Sequence, residues 1–213
     1  MPKYCVVVAG NIGAGKTSLA RLMAERLGWD AFYESVDDNP YLADFYRDMS
    51  TWSFHLQVFF LGHRAAQHKA LAQDSRSAII DRSIYEDAFI FARALSEMGN
   101  MTERDHHSYR QLFDLVVAEL PPPDLLIYLR APVPVLMERI QRRGRSIESS
   151  ISADYLSLLD RYYEEWLRDF VTCPVLMIQS DNLDFVHRAD HLDVVVRHIE
   201  DRLSGKEQLV FPR

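Results

Sequence analysis

Short apolar runs alternate with longer amphipathic segments along this chain. The first run, residues 4–9 (YCVVVA), is continuous and rich in β-branched side chains, which is typical of a strand that is buried on both faces of a sheet. Similar runs cover residues 78–80, 125–129 and 175–178, and a weaker run covers residues 30–34. The pattern therefore predicts five strands.

The amphipathic segments predict seven helices, over residues 16–27, 51–72, 84–98, 103–120, 134–142, 153–170 and 185–203. Alternation of strands and helices predicts an α/β fold, a five-stranded parallel sheet flanked by helices. Ligands of such sheets bind at the carboxyl ends of the strands. Because no flexible linker or internal repeat interrupts the pattern, we expect a single domain over residues 1–213.

Composition narrows the class of protein. With 213 residues, of which 48% are hydrophobic and 26% charged, the chain has the balance of a globular domain. The net charge of -7 disfavours a protein that binds nucleic acid across its surface. No stretch approaches 18 apolar residues, so no transmembrane helix is expected. A motif that begins at residue 10 leaves no room for a preceding signal peptide.

Cys5 and Cys173 are too few for a disulfide framework. Two free thiols fit a reducing compartment, and we expect a cytoplasmic protein.

Residues 10–17 (GNIGAGKT) fit the pattern G-x-x-x-x-G-K-[ST], between a predicted strand and a predicted helix. Glycines let backbone N–H groups turn toward a phosphate, and the helix N-terminus adds a partial positive charge. Lys16 would reach the β- and γ-phosphates, and the Thr17 hydroxyl would bind Mg²⁺. The motif predicts a nucleotide site formed by Gly10, Asn11, Ile12, Gly13, Ala14, Gly15, Lys16 and Thr17.

Two acidic residues follow predicted strands. Asp81 ends the run at 78–80, and in P-loop proteins a carboxylate at that place helps to hold Mg²⁺. Asp is also a favoured helix N-cap, so capping of the next helix is the alternative. Glu34 is expected at the same edge of the sheet, where a carboxylate can take the proton of an attacking hydroxyl.

A cluster of basic residues follows the fourth strand. Arginine supplies fixed bidentate donors that neutralise a phosphoryl group in transfer. A glycine at 144 suits a loop that closes over such a group, so we expect a lid over about 139–150. A solvated basic helix end is the alternative, because cations are favoured at a helix C-terminus. The cluster consists of Arg139, Arg142, Arg143 and Arg145.

Together these segments resemble the deoxyribonucleoside kinase family, especially the bacterial deoxyadenosine/deoxyguanosine kinases. The resemblance extends from residue 4 to about 185 and rests on GNIGAGKT at 10–17, ESVDDNPYLADFY at 34–46, WSFHLQVFFLGHR at 52–64, DRSIYEDAFIFA at 81–92 and RIQRRGRSIE at 139–148. It implies a P-loop kinase fold and transfer of the γ-phosphoryl group of ATP, with Mg²⁺, to a deoxynucleoside 5′-hydroxyl in nucleotide salvage.

The resemblance also implies roles for residues on the nucleoside side. Glu34 would be the general base for the 5′-hydroxyl, and Arg82 would lie near the 5′-oxygen and the transferred phosphate. Gln57 resembles the glutamine that contacts the base, and Arg64 and Asp87 resemble the pair at the base edge.

Other matched residues would hold the sugar and the phosphate donor. Tyr46 and Glu148 resemble the pair that binds the 3′-hydroxyl. Arg143 and Arg145 match the lid arginines, and Arg139 matches the arginine beside the donor base.

Four positions qualify the match. Asp184 and Phe185 fall where the family has its donor-base loop, but this match is short. Asp81 replaces a glutamate of many relatives, and Ile147 replaces an acid.

The base preference follows from the chemistry of the side chains. The amide of Gln57 has a donor and an acceptor, so it can pair with adenine or guanine. Asp87, kept charged by Arg64, would accept from an exocyclic amine or a ring N–H. We therefore expect adenine, guanine or cytosine rather than thymine. Of the aromatic residues within 52–64, we expect one to contact the nucleoside and the others to pack in the core: Trp52, Phe54, Phe59 and Phe60.

Three alternatives remain at this point. A nucleoside monophosphate kinase would need additional basic residues for the acceptor phosphate. A catalytically silent subunit would not need the retained Lys16 and Arg82. His187 and His191 have the i, i+4 spacing of a metal pair, but no further ligand motif accompanies them.

The resemblance implies a dimer as well. The predicted helices at 51–72 and 103–120 are long enough to form a helical interface. A homodimer is expected, and a heterodimer with a related kinase is the alternative.

Overall fold

The structure, a computed structural model, describes residues 3–33, 39–145, 148, 151–181 and 183–205. Five strands form one sheet: β1 (Cys5–Gly10), β2 (Asp30–Phe32), β3 (Ala78–Asp81), β4 (Leu125–Arg130) and β5 (Val175–Gln179). The strand order is β2-β3-β1-β4-β5, and every neighbouring pair is parallel. All five strands therefore end at the same edge of the sheet.

The described helices are α1 (Lys16–Leu27), α2 (Leu42–Arg47), α3 (Met49–Gln73), α4 (Ile84–Glu86), α5 (Arg93–Glu97), α6 (Glu103–Ala118), α7 (Val133–Arg143), α8 (Ala153–Asp169) and α9 (Ala189–Leu203). A π-helical segment, Asp87–Ala92, joins α4 to α5 without a break. None of the described helices is long and apolar enough to cross a membrane.

The prediction of a five-stranded parallel sheet flanked by helices is confirmed. The helix predicted over 51–72 begins earlier, at Met49, because the Asp48 side chain accepts a hydrogen bond from the Thr51 N–H and caps it. The short α2 was not predicted, since six residues are too few to show a helical period.

The last helix was predicted from residue 185, and this start is wrong. It begins at Ala189, because Phe185 is buried outside the helix. Glu34 and four residues of the predicted lid, 146, 147, 149 and 150, lie outside the described residues.

Helices cover both faces of the sheet at its central strands β1, β3 and β4, which explains why these strands are almost entirely apolar. Along β4, Ile127 and Leu129 pack with side chains of α1, α7 and α9. Leu126 and Tyr128, on the opposite face, pack with side chains of α6 and α8. Successive side chains of a strand point to opposite faces, so each residue of the run is buried.

Replacement of one core side chain tests this two-sided packing. Leu126→Ala removes a fully buried side chain and is expected to lower the free energy of unfolding by about 2–5 kcal/mol. Leu115→Ala, at a position that is 70% exposed, should change it by less than about 0.5 kcal/mol. Urea denaturation measures both variants, and equal effects would contradict the assignment of the core.

Candidate active site

The loop between β1 and α1 packs closely against its neighbours. Gly10 has a φ of 146°, and a Cβ there would lie 2.6 Å from the Leu129 carbonyl oxygen. Gly13 has a φ of 85°, and its Cβ would lie 2.9 Å from the Leu136 carbonyl oxygen. Only glycine combines these dihedral angles with so little space. The loop is therefore held as a backbone cradle.

Lys16 lies over this cradle. Its ammonium donates to the carbonyl oxygens of Gly10 (2.8 Å) and Asn11 (3.0 Å), and the side chain is buried. The Asn11 amide donates to the Leu156 carbonyl oxygen on α8 (2.9 Å) and accepts from the Ile12 N–H (2.8 Å). The loop is thus tied to the helix that follows the basic cluster.

Thr17 and Asp81 come together at the start of α1. The Thr17 hydroxyl donates to Asp81 Oδ2 at 2.5 Å, and Asp81 is buried at the end of β3. A hydroxyl and a carboxylate oxygen beside a phosphate cradle suit Mg²⁺. The capping alternative for Asp81 is wrong, because Ser83 is the N-cap of α4 and its hydroxyl accepts from the Glu86 N–H.

The two histidines 187 and 191 form no metal cluster. No group of three potential His, Cys, Asp or Glu ligands occurs within the described ranges. His187 Nδ1 instead lies 3.0 Å from Asp184 Oδ1, and His191 Nδ1 accepts from the Asp184 N–H (3.0 Å).

Arg82 has an unusual backbone. Its φ is 73°, in the left-handed region that L-residues other than glycine seldom adopt. Its guanidinium carbon lies 4.2 Å from the centroid of the Phe91 ring, and the side chain is buried. Such strained conformations cost on the order of 1–3 kcal/mol and cluster at functional sites.

A cavity of about 260 Å³ opens beside the cradle. Its lining joins the P-loop to residues predicted for nucleoside binding: Lys16, Thr17, Tyr46, Gln57, Asp81, Arg82, Asp87, Arg143, Arg145 and Glu148. Of the aromatic residues within 52–64, Phe60 is the one in the lining. The structure therefore brings together side chains from widely separated segments.

Several lining residues were missed in the sequence, among them Met49, Leu95, Met98 and Tyr155. Most are apolar, and an apolar side chain on a cavity wall has the same helical spacing as one in the core. Tyr155 lies next to Leu156, which binds Asn11, but nothing in the sequence distinguishes it from other tyrosines of α8.

Arg64 and Asp87 form a buried ion pair at one end of the cavity. Arg64 Nε donates to Asp87 Oδ2 at 2.5 Å, and its Nη1 donates to the Arg82 carbonyl oxygen at 3.3 Å. Both side chains are at most 4% exposed. Arg64 does not line the cavity, whereas its partner Asp87 does.

The side-chain oxygen of Gln57 is buried and lacks a hydrogen-bond donor among the described residues. The side chain is 4% exposed, and its Oε1 has no hydrogen-bond partner in the part of the chain that the structure describes. A buried amide oxygen without a donor costs on the order of 1–3 kcal/mol. Because Gln57 lines the cavity, a ligand with an N–H group would supply the missing donor.

Two of the clustered arginines contact Glu148. Arg143 forms a bidentate pair with it, through Nε–Oε2 at 3.0 Å and Nη2–Oε1 at 2.6 Å. Arg145 Nη1 lies 3.6 Å from Glu148 Oε1. The predicted phosphate ligands and the predicted sugar ligand thus meet at one wall of the cavity.

Arg139 turns toward the P-loop. Its guanidinium donates to the carbonyl oxygens of Ser180 (2.6 Å) and Ala14 (3.3 Å). Phe185 packs on the same loop, since a Cβ on Gly15 would lie 3.3 Å from its ring. Asp184 is exposed, and hydrogen bonding by the His187 N–H lowers the pKa of its carboxyl group.

The cost of breaking the buried ion pair can be measured. Asp87→Ala leaves the Arg64 charge buried, so the free energy of unfolding should fall by about 3–5 kcal/mol. The matched control is Asp193→Ala, which breaks the exposed pair with Arg26 (2.6 Å) and should cost less than about 1 kcal/mol. Similar losses in chemical denaturation would contradict the buried role of Asp87.

Comparison with known proteins agrees with this geometry. The deoxynucleoside kinase family model matches residues 6–204. The deoxyadenosine/deoxycytidine kinase of Bacillus subtilis is 38% identical over 211 residues, which are 98% of this chain and 97% of that protein. The deoxyadenosine kinase of Lactobacillus acidophilus is 39% identical over 208 residues, 93% and 95% of the two chains.

A solved structure gives the same result. Deoxyadenosine kinase from M. mycoides with bound dATP has a TM-score of 0.81 and 27% identity, over 92% of this chain and 99% of that one. This chain therefore belongs to the deoxynucleoside kinase family.

Proposed function

We propose that this kinase transfers the γ-phosphoryl group of ATP to the 5′-hydroxyl of deoxyadenosine and deoxyguanosine, with deoxycytidine as a further substrate. The observation that carries the base assignment is the buried, unpaired Gln57 Oε1 in the same cavity as Lys16. Adenine and guanine each have an N–H group beside an acceptor at the base edge. The side-chain amide of Gln57 fits either arrangement after a flip.

On the donor side, the cradle and Lys16 would bind the ATP phosphates, and Arg143 and Arg145 would neutralise the transferred group. Thr17 and Asp81 would hold Mg²⁺, and the 2.5 Å contact between their oxygens supports this pairing. When bound there, the metal would supply neutralisation of the negative charge on the phosphates. For Arg139, contacts with the loop backbone support a place beside the donor rather than at the nucleoside.

The acceptor side requires a positioned hydroxyl. Gln57 and Asp87 would bind the base, and Tyr46 and Glu148 the sugar 3′-hydroxyl. Arg82, strained and buried at the cavity wall, is suited to the 5′-oxygen and the moving phosphate.

We assign the general base to Glu34, two residues beyond the end of β2 at Phe32. Because the strands are parallel, that strand end lies at the edge that bears the P-loop. A carboxylate there can accept the 5′-hydroxyl proton as the oxygen attacks phosphorus.

The acceptor end of the cavity does not favour a monophosphate kinase. Such an enzyme needs cations for a second phosphate, whereas Arg64 is paired with Asp87 and Arg143 with Glu148. A silent subunit is disfavoured because Lys16, Thr17, Asp81 and Arg82 all line one cavity.

A homodimer remains our prediction, with a heterodimer with a related kinase as the alternative. The exposed apolar side chains of Leu112 and Leu115 on α6 support the choice of that helix for an interface. The single domain with its lid over 139–150, and the cytoplasmic location, are likewise kept as predictions.

Comparison of the four deoxynucleosides at fixed ATP and Mg²⁺ tests the base assignment. The kcat/KM for deoxyadenosine and deoxyguanosine should exceed that for thymidine by about a hundredfold or more, because thymine has no exocyclic amine for Asp87. Thymidine as the best substrate would contradict the proposal.

Substitution of the proposed base tests the mechanism. Glu34→Gln keeps the size of the side chain but removes the proton acceptor, so kcat should fall by about 10²–10⁴-fold. Binding of deoxyadenosine, measured by calorimetry, should persist. The control Glu25→Gln alters an exposed acid on α1 and should leave kcat unchanged. A kcat near that of wild type in Glu34→Gln would reject Glu34 as the base.

A further inference from the structure

Glu86 is a buried carboxylate to which the proposed function gives no role. It lies on α4, is 0% exposed and does not line the cavity. Three groups donate to it: the Gly10 N–H to Oε1 (3.1 Å), the Tyr163 hydroxyl to Oε1 (2.6 Å) and the Ser83 N–H to Oε2 (2.6 Å). All three are hydrogen-bond donors, and none is a charged side chain.

This arrangement suits a carboxylate side chain. Both of its oxygens can accept hydrogen bonds, and such bonds offset the cost of burying a polar group. Burial, and then the charge of Glu86, raise the pKa of Tyr163 well above its usual value, so the phenol stays a donor. A glutamine would direct its NH₂ group at one of the two backbone N–H groups and lose that bond.

One end of this network is the first residue of the P-loop. The Gly10 N–H is bound by Glu86, and the Gly10 carbonyl oxygen accepts from Lys16 Nζ at 2.8 Å. The Tyr163 hydroxyl, whose single proton is donated to Glu86, also lies 2.8 Å from this carbonyl oxygen. The carboxylate and the phenol therefore hold the residue on which the ammonium of Lys16 rests.

The other end is the strained turn after β3. Ser83, whose N–H is bound by Glu86, directly follows Arg82 with its φ of 73°. On the preceding side, the Arg82 N–H donates to the Val8 carbonyl oxygen at 2.9 Å. The strained residue is thus fixed by one hydrogen bond at its own N–H and by a second at the N–H that follows it.

We propose that Glu86 is a positioning residue that holds Lys16 and Arg82 at a fixed separation for phosphoryl transfer without touching either substrate. This inference rests on the proposed function, which gives both cations their contacts with the phosphate. Transfer depends on cations that are preorganised at the developing charge. One carboxylate accepts hydrogen bonds from the Gly10 N–H of the P-loop (3.1 Å) and from the Ser83 N–H after Arg82 (2.6 Å), and so couples the segments that carry the two cations.

The first test is Glu86→Gln. Its kcat should fall about 10- to 100-fold, since a displacement of about 1 Å at a reacting centre has an effect of this size. The KM for deoxyadenosine should stay within about twofold, because Gln57 and Asp87 are unchanged. Activity is measured per folded enzyme, well below the midpoint of unfolding. A purely structural role would lower that midpoint and leave kcat unchanged, which would overturn the proposal.

Two adjacent tyrosines supply a matched pair of variants. Tyr163→Phe removes a hydroxyl from the network, and kcat should fall about three- to tenfold, the size expected for the loss of one ordinary hydrogen bond. Tyr162→Phe removes a hydroxyl that instead contacts Glu97, and kcat should not change. Both parent side chains are buried in the same core cluster. Equal kcat values for the two variants would overturn the proposal, and this comparison remains available if Glu86→Gln does not fold.

An assay of the wild-type enzyme distinguishes failure of the proposed function from failure of the role proposed for Glu86. If it shows no nucleoside-dependent turnover of ATP, the proposed function fails and the role of Glu86 fails with it. If it turns over and Glu86→Gln matches its kcat, only the role of Glu86 fails.

Discussion

The parallel pairing of β1 with β3 is the constraint on which the site depends. Its register sets Val8 opposite Asp81, so the P-loop and the turn with Arg82 leave the sheet side by side. The 2.5 Å contact between Thr17 and Asp81 and the bonds of Glu86 to both segments follow from this pairing. A shift of one residue would turn the Asp81 side chain to the opposite face of the sheet.

Basic side chains are concentrated at the cavity although the chain is acidic overall. The net charge is -7, yet the cavity wall includes Lys16, Arg82, Arg143 and Arg145. Two arginines of this region form ion pairs with carboxylates: Arg64 pairs with Asp87, and Arg143 pairs with Glu148. Paired burial avoids the large cost of an isolated charge in the interior. A protein can thus be acidic and still bind a polyphosphate, because the local field governs binding.

Much of the fold and part of the site could be predicted from the sequence. The apolar runs indicated all five strands, since a strand covered on both faces has no polar side chains to interrupt it. The motif at residues 10–17 indicated the cradle, because glycine and lysine at fixed spacing are local requirements of a phosphate loop. Family resemblance then indicated Gln57, Arg64 and Asp87, which lie together in the structure.

The remaining contacts of the site depend on the tertiary structure alone. The sequence by itself determined the fold class, the phosphate loop and the family, because these depend on periodicity and on spacing along the chain. It did not determine that Ser83 rather than Asp81 caps α4, that Arg139 binds the P-loop backbone or that Glu86 links Gly10 to Ser83. Each of these depends on which hydrogen-bond partners become neighbours, and distant segments meet only when the sheet has formed.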